Sequence, residues 1–141
     1  MILLDTNVVS ELMRRVPSKV VESWFDGQEP TQLFVSSISI AEILFGLRTM
    51  PEGRKRDAMN ARFEGFLRSA FQHSILDFDG SAARAYADIR GARQEMGRPM
   101  RNFDAQIAAV ARANRLAVAT RSIRDFEDVG LELINPFDNS V

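Results

Sequence analysis

The first seven residues, Met1 to Asn7, have the sequence MILLDTN: four apolar residues, then an acid and two polar side chains. A short apolar run of this kind predicts a buried strand, and Asp5 then lies at the carboxyl end of that strand. Ligands of open parallel sheets bind at the carboxyl ends of the strands. Asp5 is therefore a candidate functional residue, although an aspartate at this position can equally cap the next helix.

Similar short apolar runs recur along the chain, separated by amphipathic segments. The predicted strands are Ile2–Leu4, Leu33–Val35, Ser74–Leu76, Leu116–Ala119 and Glu132–Ile134. The predicted helices are Asn7–Arg14 with Thr6 as its cap, Pro17–Gly27, Ser39–Met50, Arg54–Phe71, Gly80–Met96 and Asn102–Asn114. Strands that alternate with helices predict an α/β fold with a mainly parallel sheet. The length fits one domain, residues 1–141, whose last seven residues are expected to fray.

The composition argues against several kinds of site and partner. The chain has no cysteine and a single histidine, His73, which leaves no disulfide and disfavours zinc sites and histidine-dependent triads. The net charge of -1 does not indicate a nucleic-acid binder. The segment Met1–Leu4 is too short for a signal peptide, and no apolar run is long enough to span a bilayer. We therefore expect a cytoplasmic protein without a membrane partner.

Two further acids occupy positions comparable to that of Asp5. Glu42 lies near the start of the helix after the second strand, and Asp104 lies in the first turn of the helix that begins near Asn102. Each acid alone is explained as a cap, a dipole partner or a solvated residue. Together they are expected at one edge of the sheet, where carboxylates repel each other unless a cation compensates. The set predicts a Mg²⁺ or Mn²⁺ site that could activate water against a phosphodiester.

Four polar residues are expected at the same edge: Thr6, Asn7, Thr120 and Ser122. They could orient the carboxylates or water molecules. Ordinary turn and cap chemistry is the alternative explanation for all four.

Several segments match a known family in order and spacing. They are Leu3–Glu11 (LLDTNVVSE), Ser39–Ile43 (SIAEI) with Gly46, Asn102–Ala109 (NFDAQIAA), Ala119–Arg121 (ATR), Arg124–Glu127 (RDFE) and Asn135–Phe137 (NPF). Across nearly the whole chain the sequence resembles the PIN-domain family, in particular VapC-type toxins of type II toxin–antitoxin systems and their FitB-like group.

The resemblance implies an α/β/α sandwich and a Mg²⁺- or Mn²⁺-dependent endoribonuclease with Asp5, Glu42 and Asp104 as its acidic set. It also implies RNA as substrate, a homodimer, and inhibition by a cognate antitoxin that docks in a groove beside the site. Many members carry a fourth acid or an asparagine where this chain has Ser122, and Asp125 follows three residues later. A fourth carboxylate, and with it a second metal, is thus in question.

Two sets of residues are candidates for contacts with these partners. Arg98, Arg101 and Arg121 could contact RNA phosphates, or they are solvated loop residues. Six apolar residues of the early helices belong mostly to the core, and any that are exposed could line the antitoxin groove: Leu12, Trp24, Phe25, Leu44, Phe45 and Leu47.

Two other functions remain open at this point. Haloacid dehalogenase-like phosphatases also begin with a strand that ends in aspartate, but they need a second acid where this chain has Asn7, and no convincing downstream lysine is present. A binding module that has lost catalysis is the other alternative. The presence of all three acids argues against it.

Overall fold

Five parallel strands form the central sheet in the computed structural model, which describes residues 1–138. The strands are β1 (Ile2–Leu4), β2 (Leu33–Ser36), β3 (Ile75–Leu76), β4 (Ala117–Ala119) and β5 (Leu133–Ile134). The helices are α1 (Thr6–Leu12), α2 (Lys19–Asp26), α3 (Ser37–Arg48), α4 (Arg54–Phe71), α5 (Gly80–Glu95) and α6 (Asn102–Ala113). Short 3-10 turns cover Pro30–Gln32 and Ile123–Phe126. The predicted α/β class and five-stranded sheet are confirmed, and every strand pairing is parallel.

The strand order β3-β2-β1-β4-β5 places a topological switch point beside β1. The chain runs outward from β1 to β3 and then returns to add β4 on the other side of β1. Leu4 and Ala119, the last residues of β1 and β4, are register partners. Asp5 and Thr120 therefore lie next to each other just beyond the sheet, at the place where open α/β sheets bind ligands.

Alternating side chains give the sheet a separate core on each face. Leu3 and Val118 pack with residues of α5 and α6, whereas Leu4 and Ala119 pack with residues of α1 to α4. The period of two along a strand produces this division. The result is the expected α/β/α sandwich.

Capping side chains fix helix starts that differ from the predicted ones. Asp5, rather than Thr6, is the N-cap of α1. Ser18 caps α2, so Pro17 lies before the helix, and Ser36 caps α3, which begins two residues earlier than predicted. Glu42 consequently lies in the second turn of α3. The hydroxyl oxygen of serine or the carboxylate oxygen of aspartate accepts a hydrogen bond from a helix N–H group that otherwise has no partner.

The carboxyl-terminal segment is more ordered than predicted. Phe137 packs against the core beside α1 to α4, and its backbone N–H donates to Asn135 Oδ1 at 2.9 Å. The expected fraying is therefore wrong for residues 135–138, while residues 139–141 lie outside the described part. No helix in residues 1–138 is long and apolar enough to cross a membrane.

Candidate active site

Asp5 is buried at the end of β1, and both of its carboxylate oxygens accept hydrogen bonds. The backbone N–H of Thr6 donates to Oδ1 at 2.7 Å, and the Thr120 hydroxyl donates to Oδ2 at 2.8 Å. Asp5 is 5% exposed, and its carboxylate is held from the start of α1 and from the residue that follows β4. Asp5 thus combines the capping role and the candidate site role that the sequence left as alternatives.

Glu42 reaches the same place from α3. The Thr6 hydroxyl donates to Glu42 Oε1 at 2.7 Å and lies 2.9 Å from Ser39 Oγ. Thr6 therefore links the carboxylates: its backbone binds Asp5 and its side chain binds Glu42. Ser39 precedes Glu42 by three residues, which places both on one face of the helix.

The third acid, Asp104, lies in the first turn of α6 and is half-buried. Burial raises its pKa above the ordinary value, and the carboxylates of Asp125 and Glu42 raise it further, while Arg101 and Arg93 oppose the rise. Burial also raises the pKa of Asp5 from 3.8 to about 6, against the hydrogen bonds from Thr120 and Thr6. The charges of Asp104 and Glu42 add to that rise. The acids therefore repel one another, and a bound cation would offset this repulsion.

All three acids line one open cavity of about 620 Å³. The other lining residues are Thr6, Asn7, Ser10, Glu11, Arg14, Met59, Arg101, Arg121, Ser122 and Asp125. The structure thus brings together the acidic residues predicted from distant parts of the sequence. Asp125, on the 3-10 turn after β4, contributes a carboxylate to the same cavity.

The predicted polar residues connect β1 to the segment after β4. Asn7 donates from Nδ2 to Ser122 Oγ at 3.3 Å, and its Oδ1 accepts from the Arg121 backbone N–H at 3.2 Å. The Ser122 N–H donates to Thr120 Oγ1 at 2.9 Å. Thr120 therefore accepts from Ser122 while it donates to Asp5, so the orientation of Asp5 depends on this loop.

The donor set around the cavity fits a hard divalent cation. Carboxylate and hydroxyl oxygens are the ligands that Mg²⁺ and Mn²⁺ prefer, and the lining contains no histidine. Within residues 1–138 no three acidic or histidine side chains converge closely enough to form a closed metal site. The acids line the walls of an open cavity, and Asp5, Glu42 and Asp104 are the residues that could supply ligands.

Comparison with known proteins assigns the family. The PIN domain model matches residues 2–131. The chain belongs to the PIN-domain family. The VapC ribonuclease Y4jK of Sinorhizobium fredii is 41% identical, with 98% of this chain and 99% of the relative covered. Toxin FitB of Neisseria gonorrhoeae is 35% identical, with coverage of 97% and 99%. A chain in the crystal structure of FitAcB from Neisseria gonorrhoeae gives a TM-score of 0.90 at 35% identity, with coverage of 97% and 99%.

The three predicted arginines of this PIN domain have different environments. Arg101 and Arg121 line the cavity, and the Arg121 guanidinium lies 3.9 Å from the centroid of the Phe137 ring. Arg98 does not line the cavity, because it forms ion pairs with Glu127 at 3.2 Å and Asp128 at 2.6 Å. Its predicted place at the acidic edge is therefore not what the structure shows.

A buried arginine that the sequence did not single out supports the loop that carries Asp125. Arg93 is 5% exposed and donates to the backbone oxygens of Arg98 at 2.7 Å, Asp125 at 3.2 Å and Glu127 at 3.0 Å. Gly97, with a φ of 73°, allows the chain to reverse after α5 so that the Arg98 carbonyl reaches Arg93. No local pattern marks Arg93, since its partners lie up to 34 residues away.

Several lining residues on α1 also escaped the sequence-based prediction. Ser10 and Glu11 lie three and four residues after the LLDTN motif, so their position on the helix after Asp5 was the available signal. Glu11 is buried and accepts from the Ser18 N–H at 2.9 Å. Its partner Arg14, at 3.3 Å, is placed at the cavity mouth.

The apolar residues considered for an antitoxin groove are mostly buried or half-buried. Only Leu44 and Phe45 are exposed, at 39% and 71%. Phe45 lines a second cavity together with Phe103, Ala41 and Glu42. Of the six predicted residues, only Leu44 and Phe45 on α3 are thus accessible to a protein partner.

The structure does not support the phosphatase alternative. The amide of Asn7 bonds to the loop after β4, through the Arg121 N–H and the Ser122 hydroxyl. Asn7 therefore connects structural elements and offers no second acid.

Proposed function

We propose that this PIN domain is a Mg²⁺- or Mn²⁺-dependent endoribonuclease and the toxin of a type II toxin–antitoxin pair. The observation that carries the proposal is the convergence of Asp5, Glu42 and Asp104 on one open cavity, with the first two fixed through Thr6. The relative in Sinorhizobium fredii carries the name ribonuclease, and the relative in Neisseria gonorrhoeae carries the name toxin. Both cover nearly the whole chain.

The three carboxylates would hold the metal ion. A bound Mg²⁺ or Mn²⁺ would supply activation of the attacking water and neutralise charge on the phosphoryl oxygens. The residues of the chain position these groups: Thr120 and the Thr6 N–H orient Asp5, and the Thr6 hydroxyl orients Glu42. In this hydrolysis water would add to the phosphorus atom while one bridging P–O bond breaks, and a proton of the water would end on the departing sugar oxygen, so no histidine is required.

Charged residues around the cavity would supply affinity for the substrate. Arg101 and Arg121 lie at its rim, where they can contact phosphates. The Arg121 guanidinium is placed by its packing on Phe137. Asp125 gives the cavity a further carboxylate near Asp104, although Ser122 stands where many members have an acid.

The toxin role implies two protein partners, a second copy of the chain and a cognate antitoxin. The exposed side chains of Phe45 and Phe103, at 71% and 47%, provide apolar surface for such contacts.

The decisive experiment measures cleavage of cellular RNA by the purified chain with Mg²⁺, with Mn²⁺ and with a chelator. We expect cleavage only with a metal, and none from the Asp104→Asn variant. Asp88→Asn, a change of an exposed acid on α5, is the matched control and should cleave like wild type. Circular dichroism must show that both variants are folded. Wild-type rates from folded Asp104→Asn protein would refute the proposal.

A further inference from the structure

A basic groove lies beside the acid-lined cavity, along the first turns of α4. It has a volume of about 360 Å³ and is lined by Arg14, Arg15, Lys55, Ala58, Met59 and Arg62. Arg14 and Met59 line the acid cavity as well, so the two spaces are adjacent and share these two residues. Among the described residues, the lining of the basic groove includes four cations and no acid.

The four cations differ in how firmly they are placed. Arg62 donates from Nη1 to the Met13 carbonyl at 2.9 Å, which connects α4 to the end of α1. Arg14 is paired with Glu11 at 3.3 Å but remains 66% exposed. Arg15 and Lys55 are exposed, and neither side chain forms a hydrogen bond or an ion pair within residues 1–138. The groove thus has two anchored cations and two that are available to a ligand.

We infer that the basic groove binds the sugar–phosphate backbone of single-stranded RNA on one side of the bond that is cut. The inference rests on the proposed nuclease function, which requires a phosphodiester in the acid cavity. Five carboxylates line that cavity, so RNA must gain much of its affinity from neighbouring surfaces. Backbone contacts from lysine and arginine supply such affinity without sequence preference.

The shape and composition of the groove favour RNA over an acidic protein segment. Met59 and the aliphatic parts of the arginine side chains offer apolar surface between the charges, on which bases can rest. The groove adjoins the acid cavity, and Arg14 and Met59 line both spaces. The proposed nuclease function requires a phosphodiester in the acid cavity, so the RNA chain on one side of that phosphodiester must lie on adjacent surface, and the basic groove is such a surface. An acidic protein segment has no corresponding requirement to lie beside the cavity.

The test compares two double variants of the full chain in metal-free buffer. Arg15→Gln with Lys55→Gln removes the two available cations of the groove. Arg112→Gln with Arg115→Gln removes two exposed cations at the opposite edge of the sheet and serves as the matched control. Fluorescence anisotropy measures the Kd for a labelled single-stranded RNA of about 12 nucleotides as the KCl concentration is raised.

We expect the Kd of the groove variant to be about tenfold higher than that of wild type. The slope of log Kd against log salt should be lower by about 1.4, because two cations are removed and each contact to single-stranded phosphate contributes about 0.7. The control variant should change the Kd less than twofold. Equal effects in the two variants, or no RNA binding by wild type, would overturn the inference. Unchanged RNA affinity combined with lost affinity for a glutamate-rich peptide would overturn it in favour of a protein-binding groove.

A separate measurement distinguishes failure of this inference from failure of the proposed function. Wild-type protein is incubated with the same RNA and Mg²⁺ or Mn²⁺. If wild type cleaves the RNA and the groove variant binds RNA with unchanged affinity, the inference about the groove is refuted and the proposed nuclease function is not. Groove-dependent binding without cleavage refutes the proposed nuclease and supports the groove as an RNA-binding surface.

Discussion

Replacement of Asp5 by asparagine should make the metal-free protein more stable. Burial raises the pKa of Asp5 from 3.8 to about 6, and a tenfold change in proton affinity corresponds to about 1.4 kcal/mol. The ionised carboxylate therefore lowers the free energy of unfolding by about 3 kcal/mol at neutral pH. Asparagine removes that charge and still accepts the Thr6 N–H. It places a donor against Thr120, at a cost of about 1 kcal/mol.

The net gain of about 2 kcal/mol should raise the Tm by roughly 6 °C in a chain of this size. The gain depends on pH in a defined direction. A folded-state pKa above the unfolded value gives stability that is present below pH 3.8 and is lost as the pH rises through about 6. Wild type should thus be about 1 kcal/mol more stable than the variant below pH 3.8, where only the mismatch with Thr120 remains, and should fall below it between about pH 4 and 6.

Bound metal should make wild type more stable than the Asp5→Asn variant at neutral pH. Mg²⁺ at about 100 times its dissociation constant stabilises the protein that binds it by about 2.7 kcal/mol. Wild type should gain this stability and the Asp5→Asn variant should gain little. Urea and thermal unfolding, followed by circular dichroism with chelator and with Mg²⁺, measure both effects. Asp88→Asn controls for the loss of one negative charge. An Asp5→Asn variant no more stable than wild type in chelator at neutral pH would refute the reasoning.

Three further predictions concern residues around the same cavity. Thr120→Val removes a hydrogen bond that favours ionised Asp5, so the pKa of Asp5 in the metal-free protein should rise above about 6, as an NMR titration with chelator measures. Thr120→Ser keeps the hydroxyl, and identical titration curves for the two variants would contradict this. Arg93→Met leaves three carbonyl oxygens without their donor and should lower the free energy of unfolding by about 3 kcal/mol in urea titrations, whereas Arg84→Met, an exposed change on α5, should have little effect. Arg121→Ala should lower the salt slope of RNA binding by about 0.7, and Arg98→Ala should leave it unchanged because Arg98 is paired with Glu127 and Asp128; equal slopes for the two variants would show that position at the rim is irrelevant.

Local patterns in the sequence were sufficient to predict most of the elements. The five strands and six helices were placed within a few residues, because apolar periodicity and breakers such as Pro51 and Gly97 act over short distances. Boundary errors arose where a side chain caps the backbone. Ser36 starts α3 earlier than the apolar pattern indicated, since a cap depends on one hydrogen bond and not on periodicity.

The location of the acidic residues could be predicted because parallel strands end at one edge. Asp5 follows β1 and Asp104 begins α6, so topology alone brings them together once the sheet is parallel. The surroundings of Arg98 could not be predicted in this way. Its partners Glu127 and Asp128 are about 30 residues away, and only the fold of the intervening α6 and β4 determines whether they meet.

The sequence by itself therefore determined the fold class, the order of the elements and the three acids at the edge of the sheet. The tertiary structure decided what each acid contacts: Asp5 binds Thr120 across 115 residues, and Thr6 binds Glu42 across 36. It also decided that Arg93 supports the Asp125 loop and that four cations form a groove beside the cavity. The physical reason is range: periodicity and capping involve neighbours in the chain, whereas burial, pKa shifts and charge pairing depend on which distant side chains the packed sheet brings within a few ångströms.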